Sequence, residues 1–163
     1  MSSTTTTVPS AVTTSSSSSS QSQTLSEKPH FTDNNDGTFT DNKTGLTWLK
    51  NAGCFEKHPW YGSDSAIETL KSGSCGIEDS LRAKAWRFPT VAELKTLVSG
   101  NSCPSVSADN PSVNVQCGCY WSSSEDFSDY KPRVWTVCFH NGLATSMLTQ
   151  SLVSSFYVWP VYK

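Results

Sequence analysis

Trp86-Arg87-Phe88-Pro89-Thr90-Val91-Ala92-Glu93-Leu94-Lys95-Thr96-Leu97-Val98 carries the clearest physical instructions in the chain. Thr90 can accept a hydrogen bond from the backbone N–H of Glu93, whose carboxylate can reach back to Thr90, and Pro89 fixes the entry. The spacing predicts a capping box. Val91, Leu94, Leu97 and Val98 recur at helical spacing on one face, Glu93, Lys95 and Thr96 fall elsewhere, and Gly100 is the expected stop. One face of this helix must therefore pack against something. No catalytic constellation lies within it.

Toward the N-terminus, a second helix is predicted from about Ser63 to Lys71. Ser65 and Glu68 stand at capping-box spacing, Ala66, Ile67 and Leu70 are apolar, and Ser72-Gly73-Ser74-Cys75-Gly76 ends the run. Before it lies a repeat of period eight. Phe31-Thr32-Asp33-Asn34-Asn35-Asp36-Gly37-Thr38 is followed by Phe39-Thr40-Asp41-Asn42-Lys43-Thr44-Gly45-Leu46, then Thr47-Trp48-Leu49. Each unit joins a short β-prone piece to an Asn/Asp-rich turn closed by Gly37 or Gly45, so a meander of three short strands is expected. Asp33, Asn35, Asp36 and Asp41 invite a calcium reading, but the spacing of a calcium loop with its later bidentate glutamate is absent. Residues 1–28 are mostly Ser, Thr and Gln and cannot bury enough apolar surface to offset the entropy of ordering. They read as a disordered Ser/Thr-rich stalk or linker, or as a plain disordered terminus, which leaves residues 29–163 as one folded domain.

Toward the C-terminus, the stretch from Asn101 to Gly118 is long and irregular, with few large apolar residues. Loops of that length are usually functional or stapled. From Tyr120 the chain turns β-rich through Tyr120-Trp121-Ser122-Ser123, Arg133 to Phe139, an Asn141-Gly142 hairpin turn, Leu143 to Leu148, and Phe156 to Val161. Pro160 places the last strand at a sheet edge or ends it there. Trp48, Trp86, Trp121 and Trp135 are expected mainly in the core.

The 163 residues carry a net charge of −2, and the scattered basic residues form no footprint for nucleic acid or another polyanion. No apolar run approaches membrane-spanning length. Six cysteines, Cys54, Cys75, Cys103, Cys117, Cys119 and Cys138, are spread over distant segments, which favours three disulfides and an oxidising compartment. Zinc is disfavoured, because only Cys117 and Cys119 are close in sequence and the three histidines lack finger spacing. The expected pairs are Cys54 with Cys75, Cys103 with Cys117, and Cys119 with Cys138 at the ends of neighbouring strands. Exchange of Cys117 and Cys119 is the competing connectivity. The first bridge would tie the second helix to the meander and contribute about 3 kcal/mol. No basic n-region and apolar h-region mark a signal peptide. Export then implies a truncated start, a missed upstream start or a mature form.

Six motifs, read in order, resemble a known family: Phe31-Thr-Asp-Asn-Asn-Asp-Gly-Thr38, Asp41 through Thr44-Gly-Leu-Thr-Trp48-Leu49, Ser74-Cys75-Gly76, Trp86-Arg-Phe-Pro-Thr through Glu93-Leu94, Tyr120-Trp-Ser-Ser123, and Tyr157-Val-Trp-Pro-Val161. The chain from about Phe31 to Val161 is similar to the Lcl C-terminal domain, named for a bacterial collagen-like adhesin. The resemblance implies an α+β, C-type-lectin-like fold, with two helices packed on short antiparallel sheets and disulfide staples. It is distantly similar to the formylglycine-generating enzymes and to the variable receptor-binding proteins of diversity-generating retroelements. Members are typically exported bacterial proteins, and the founding adhesin binds host glycosaminoglycans and other surface ligands. Where many relatives carry Arg before the last Pro, this chain has Trp159, and its four cysteines from Cys103 to Cys138 are an elaboration. The Glu-Pro-Asn, Gln-Pro-Asp and Trp-Asn-Asp motifs of calcium-dependent lectins are absent, as is the collagen repeat.

These readings point to a non-catalytic exported surface or periplasmic binding module, with no cofactor or metal and a surface glycan or protein of a host or neighbouring cell as partner. Aromatic residues and Arg in loops on a rigid scaffold resemble recognition surfaces. Tyr130, Arg133, His140 and Asn141 are the contact candidates in the second half. The alternatives are an oxidase related to formylglycine-generating chemistry, using Cys119 and Cys138 as a redox or copper pair, and a structural component of the cell envelope. His30, His58 and His140 lie beside turn or loop signals with no orienting carboxylate near them in sequence, so a surface imidazole is the plainer reading of each.

Overall fold

The computed structural model describes residues 1–5, 28–100 and 103–163, so most of the expected stalk (6–27) and the start of the expected long loop (101–102) lie outside the described residues. The strands are β1 (Phe31–Asp33), β2 (Thr38–Asp41), β3 (Leu46–Leu49), β4 (His58–Pro59), β5 (Cys119–Asp126), β6 (Arg133–Cys138), β7 (Ala144–Leu148), β8 (Ser155–Phe156) and β9 (Val161–Tyr162). The α-helices are α1 (Asp64–Glu68) and α2 (Val91–Leu97), with short 3-10 turns between them.

The capping box opens α2. Thr90 Oγ1 accepts from the Glu93 N–H at 3.2 Å, and the Glu93 carboxylate accepts from the Thr90 N–H at 2.7 Å. A further free donor of the first turn, the Val91 N–H, reaches Ser124 Oγ of β5 at 3.0 Å, which docks this end of the helix on the sheet. Leu94 and Leu97 are buried against β5 and β6, and each contributes about 1.5–3 kcal/mol by leaving water. The expected stop is corrected. Val98 is already extended and bridges to Val106, so the chain has left the helix two residues before Gly100.

The period-eight repeat forms the meander β1-β2-β3, and β9 pairs with β3 to complete a four-stranded antiparallel sheet. Pro160 precedes β9 at the sheet edge and its carbonyl accepts from the Leu49 N–H. The acidic turn residues are used internally: Asp36 accepts from the Thr38 N–H and hydroxyl, Asp33 pairs with Lys50, and buried Asp41 accepts from the Lys43 N–H and the Thr44 hydroxyl. Gly37 has φ +89, and a Cβ there would collide with the backbone of Gly76. The turn between β1 and β2 therefore also anchors the segment before Ile77.

The second sheet is β5-β6-β7, also antiparallel, with the Asn141-Gly142 turn joining its last two strands. The register of β5 against β6 shifts between Trp121 and Glu125. In that irregularity Ser122 Oγ donates to the Trp135 carbonyl, while Ser124 Oγ is freed to serve α2. β4 and β8 form a separate two-stranded ladder. Three bridges join Cys54 to Cys75, Cys103 to Cys117 and Cys119 to Cys138, so the exchange of Cys117 and Cys119 is not the pairing found.

The second helix differs from its expectation. α1 has five residues and tightens into a 3-10 turn, Thr69–Ser72, closed by Gly73 in the left-handed region. The Ser65 and Glu68 capping box does not form. Ser63 is the N-cap and its hydroxyl donates backward to the Trp60 carbonyl, Ser65 donates to the Gly62 carbonyl, and Glu68 pairs with Lys71. One tryptophan is corrected as well. Trp135 is half-buried on the outward side of β6, whereas Trp48, Trp121 and Trp159 are fully buried and the half-buried Trp86 packs against the core, edge-on to Tyr162.

Two outcomes follow. Thr90→Ala removes one half of the capping box and lowers unfolding free energy by about 1 kcal/mol in urea titration, with the slope of the transition unchanged. Glu93 is held below its ordinary value of 4.5, chiefly by the Arg87 guanidinium and further by the Thr90 N–H. Its stabilisation is complete above that value and is lost as pH falls through the lowered one. Glu93→Gln should therefore cost stability at pH 7 and flatten the loss of stability seen below about pH 4.5.

Candidate functional site

α1 is amphipathic, and its burial of Ala66 and Ile67 leaves Asp64 and Glu68, one turn apart, on its exposed side. That side borders a cleft of about 790 Å³. Its apolar lining comes from Trp60, Ile67, Trp86, Phe88, Pro132 and Val134. Trp60 lies with its ring centroid 5.0 Å from Phe88 and 5.5 Å from the buried Trp121, so the aromatic wall is fixed from behind by the core. The Trp86 indole N–H donates to the Leu81 carbonyl at 3.0 Å, which sets its ring as well.

Much of the remaining lining comes from the loop joining β5 to β6 and from the strand ends beside it. Asp126 and Asp129 each accept the backbone N–H two residues on, at Ser128 and Lys131, so two Asx turns shape the loop. Phe127 and Tyr130 stand out from it at 84% and 108% relative exposure. Large aromatic side chains held this far into water lose the burial that usually accounts for their presence, and both line the cleft.

Arg133 holds the base of the loop. Its guanidinium donates to Ser146 Oγ and to the Ser146 carbonyl at 3.1 and 3.0 Å, and lies 3.7 Å from Asp126 and 3.5 Å from Asp129. The Ser146 hydroxyl first, then the Ser128 N–H, keep the Asp126 carboxyl below the usual carboxylate range. Arg87 is likewise engaged, in a two-point pair with Glu93 at 2.8 and 2.7 Å.

The chain matches the family model described as the Lcl C-terminal domain over residues 37–162. It belongs to this family. No curated protein and no solved structure matches the chain.

Within this Lcl C-terminal domain the four contact candidates divide into two pairs. Tyr130 and Arg133 line the cleft, whereas His140 and Asn141 sit at the far end of β6, in the turn to β7. Asn141 is used there by the backbone, its side chain accepting from the Leu143 N–H at 3.0 Å. His140 is exposed beside the Cys119–Cys138 bridge, with ligand atoms of the three residues within 4.8 Å of one another. The two sulfurs are bonded to each other, and among the described residues no cysteine is free. His30, read as a surface imidazole, lies with Nε2 3.3 Å from the buried Asp41, a carboxylate that sequence distance had hidden.

Trp60, Asp64 and Phe88 were not singled out as contacts from sequence. They come from two separate segments, and the only local signal among them is the exposed acid position of Asp64, one turn from Glu68, on the short helix. Arg133→Ala should loosen the loop without unfolding the domain: amide exchange at Ser128 and Lys131 speeds up several-fold, while global stability falls by about 1 kcal/mol or less.

Proposed function

We propose that this domain is a non-catalytic binding module of the exported bacterial kind, with its recognition surface in the cleft between α1 and the β5–β6 loop. The observation that carries the reading is the pair of exposed rings, Phe127 and Tyr130, beside a cleft whose other aromatic wall is rigidly backed by Trp121. Rings with few rotatable bonds on a fixed scaffold give contact area at low entropy cost, which suits a surface glycan or protein epitope. The three bridges support export to an oxidising compartment. Family membership supports a surface-associated setting.

The C-type-lectin-like architecture belongs to the same reading. It is supported by β9 returning to the edge of the N-terminal meander, which brings the two ends of the domain together while the long middle section supplies the second sheet and the cleft. The bridge between Cys119 and Cys138 supports this reading over the cysteine-based oxidase alternative, which needs those two thiols.

A panel of envelope glycans and proteins, probed with the oxidised domain, tests it. Wild type retains a ligand, and Phe127→Ser with Tyr130→Ser weakens retention at least about tenfold while leaving the melting temperature unchanged. Equal retention by the doubly substituted domain would place recognition elsewhere.

A further inference from the structure

The cleft's charge and its rings together narrow the chemistry of the ligand. Five carboxylates line it, from Asp64, Glu68, Glu125, Asp126 and Asp129, against three cations, Arg87, Lys131 and Arg133. Two of those cations are committed: Arg87 to Glu93, and Arg133 to Ser146, Asp126 and Asp129. Among the described residues Asp64 and Glu125 have no ion-pair partner, and Lys131 is the only lining cation without one. An anionic ligand would meet this excess of negative charge with little left to receive it. A strongly hydrated ammonium would have to surrender part of its water against the five aromatic rings that share the lining with these carboxylates. An alkylated ammonium is weakly hydrated, is attracted by ring faces, and takes long-range stabilisation from carboxylates without needing direct hydrogen bonds to them.

We infer that the cleft binds a quaternary ammonium head, held against the rings of Trp60, Trp86, Phe88, Phe127 and Tyr130, with Asp64 and Glu125 supplying the offsetting charge. This rests on the cleft being the recognition surface, and it names the ligand class for it. Free choline-like molecules and choline-type lipid headgroups present the same chemistry.

The experiment is a titration of the oxidised domain with choline, followed by intrinsic tryptophan fluorescence and calorimetry. The neutral isostere 3,3-dimethylbutan-1-ol and a sulfated disaccharide serve as comparisons. Choline saturates the signal and the isostere binds at least about tenfold more weakly. Asp64→Asn combined with Glu125→Gln, both at exposed positions, reduces choline affinity by about tenfold and leaves the isostere's unchanged. Sedimentation with phosphatidylcholine vesicles separates the sources: co-sedimentation assigns the headgroup, and its absence alongside choline binding assigns the free molecule. Equal affinity for choline and its isostere, or affinity for the sulfated disaccharide alone, would overturn the inference. If either comparison ligand still loses binding in the Phe127→Ser, Tyr130→Ser variant, the recognition surface stands and only the ligand class falls.

Discussion

The indole of Trp159 is the contact on which the two sheets depend. It is fully buried, and its N–H donates to the Leu49 carbonyl of β3 at 2.7 Å, satisfying a donor that would otherwise be stranded in an apolar interior. Its ring meets Phe39 and Trp48 from the first sheet, Tyr120 from the second, and Phe139 just beyond β6. Replacing it with Ala would leave a cavity at the junction of both sheets, a change that costs about 3–5 kcal/mol in comparable cores.

From that junction the structure extends outward in order of decreasing burial. β5 leaves the core at Trp121, whose indole N–H donates to the His58 carbonyl and whose ring touches Trp60 and Phe156. The cleft's aromatic wall is thus one layer removed from the deepest packing. The loop beyond Asp126 is held by Asx turns and by Arg133 rather than by burial. The domain therefore places an aromatic wall backed by the core beside an exposed loop rim.

Much of the scaffold was legible in the sequence because its signals are local. The capping box of Thr90 and Glu93, the Asx-Gly turns of the repeat and the Asn141-Gly142 turn each depend on residues within four positions of one another. The failures share a different cause. The Ser65 and Glu68 box gave way to backward bonds from the Ser63 and Ser65 hydroxyls to the Trp60 and Gly62 carbonyls, which also accept the N–H groups of the same serines in a turn that the spacing pattern could not reveal. Trp135 was expected inside because it lies in an apolar run, yet strand alternation turns it outward. The cleft was half visible: Tyr130 and Arg133 were recognised from the loop's composition, but Trp60, Asp64 and Phe88 join them only through tertiary packing. His140 and Asn141 were grouped with them as residues of a second polar connection between strands, and the length of β6 separates the two connections.

Recognition at the proposed cleft should leave the core beneath it unchanged. The six indole N–H resonances of tryptophan-labelled protein report on it site by site. On addition of a bound ligand, the account predicts shifts at Trp60 and Trp86, which line the cleft, and none at Trp48 and Trp159 in the core or at Trp135 on the outward side of β6. Shifts confined to Trp135, or a general change that includes Trp159, would contradict it.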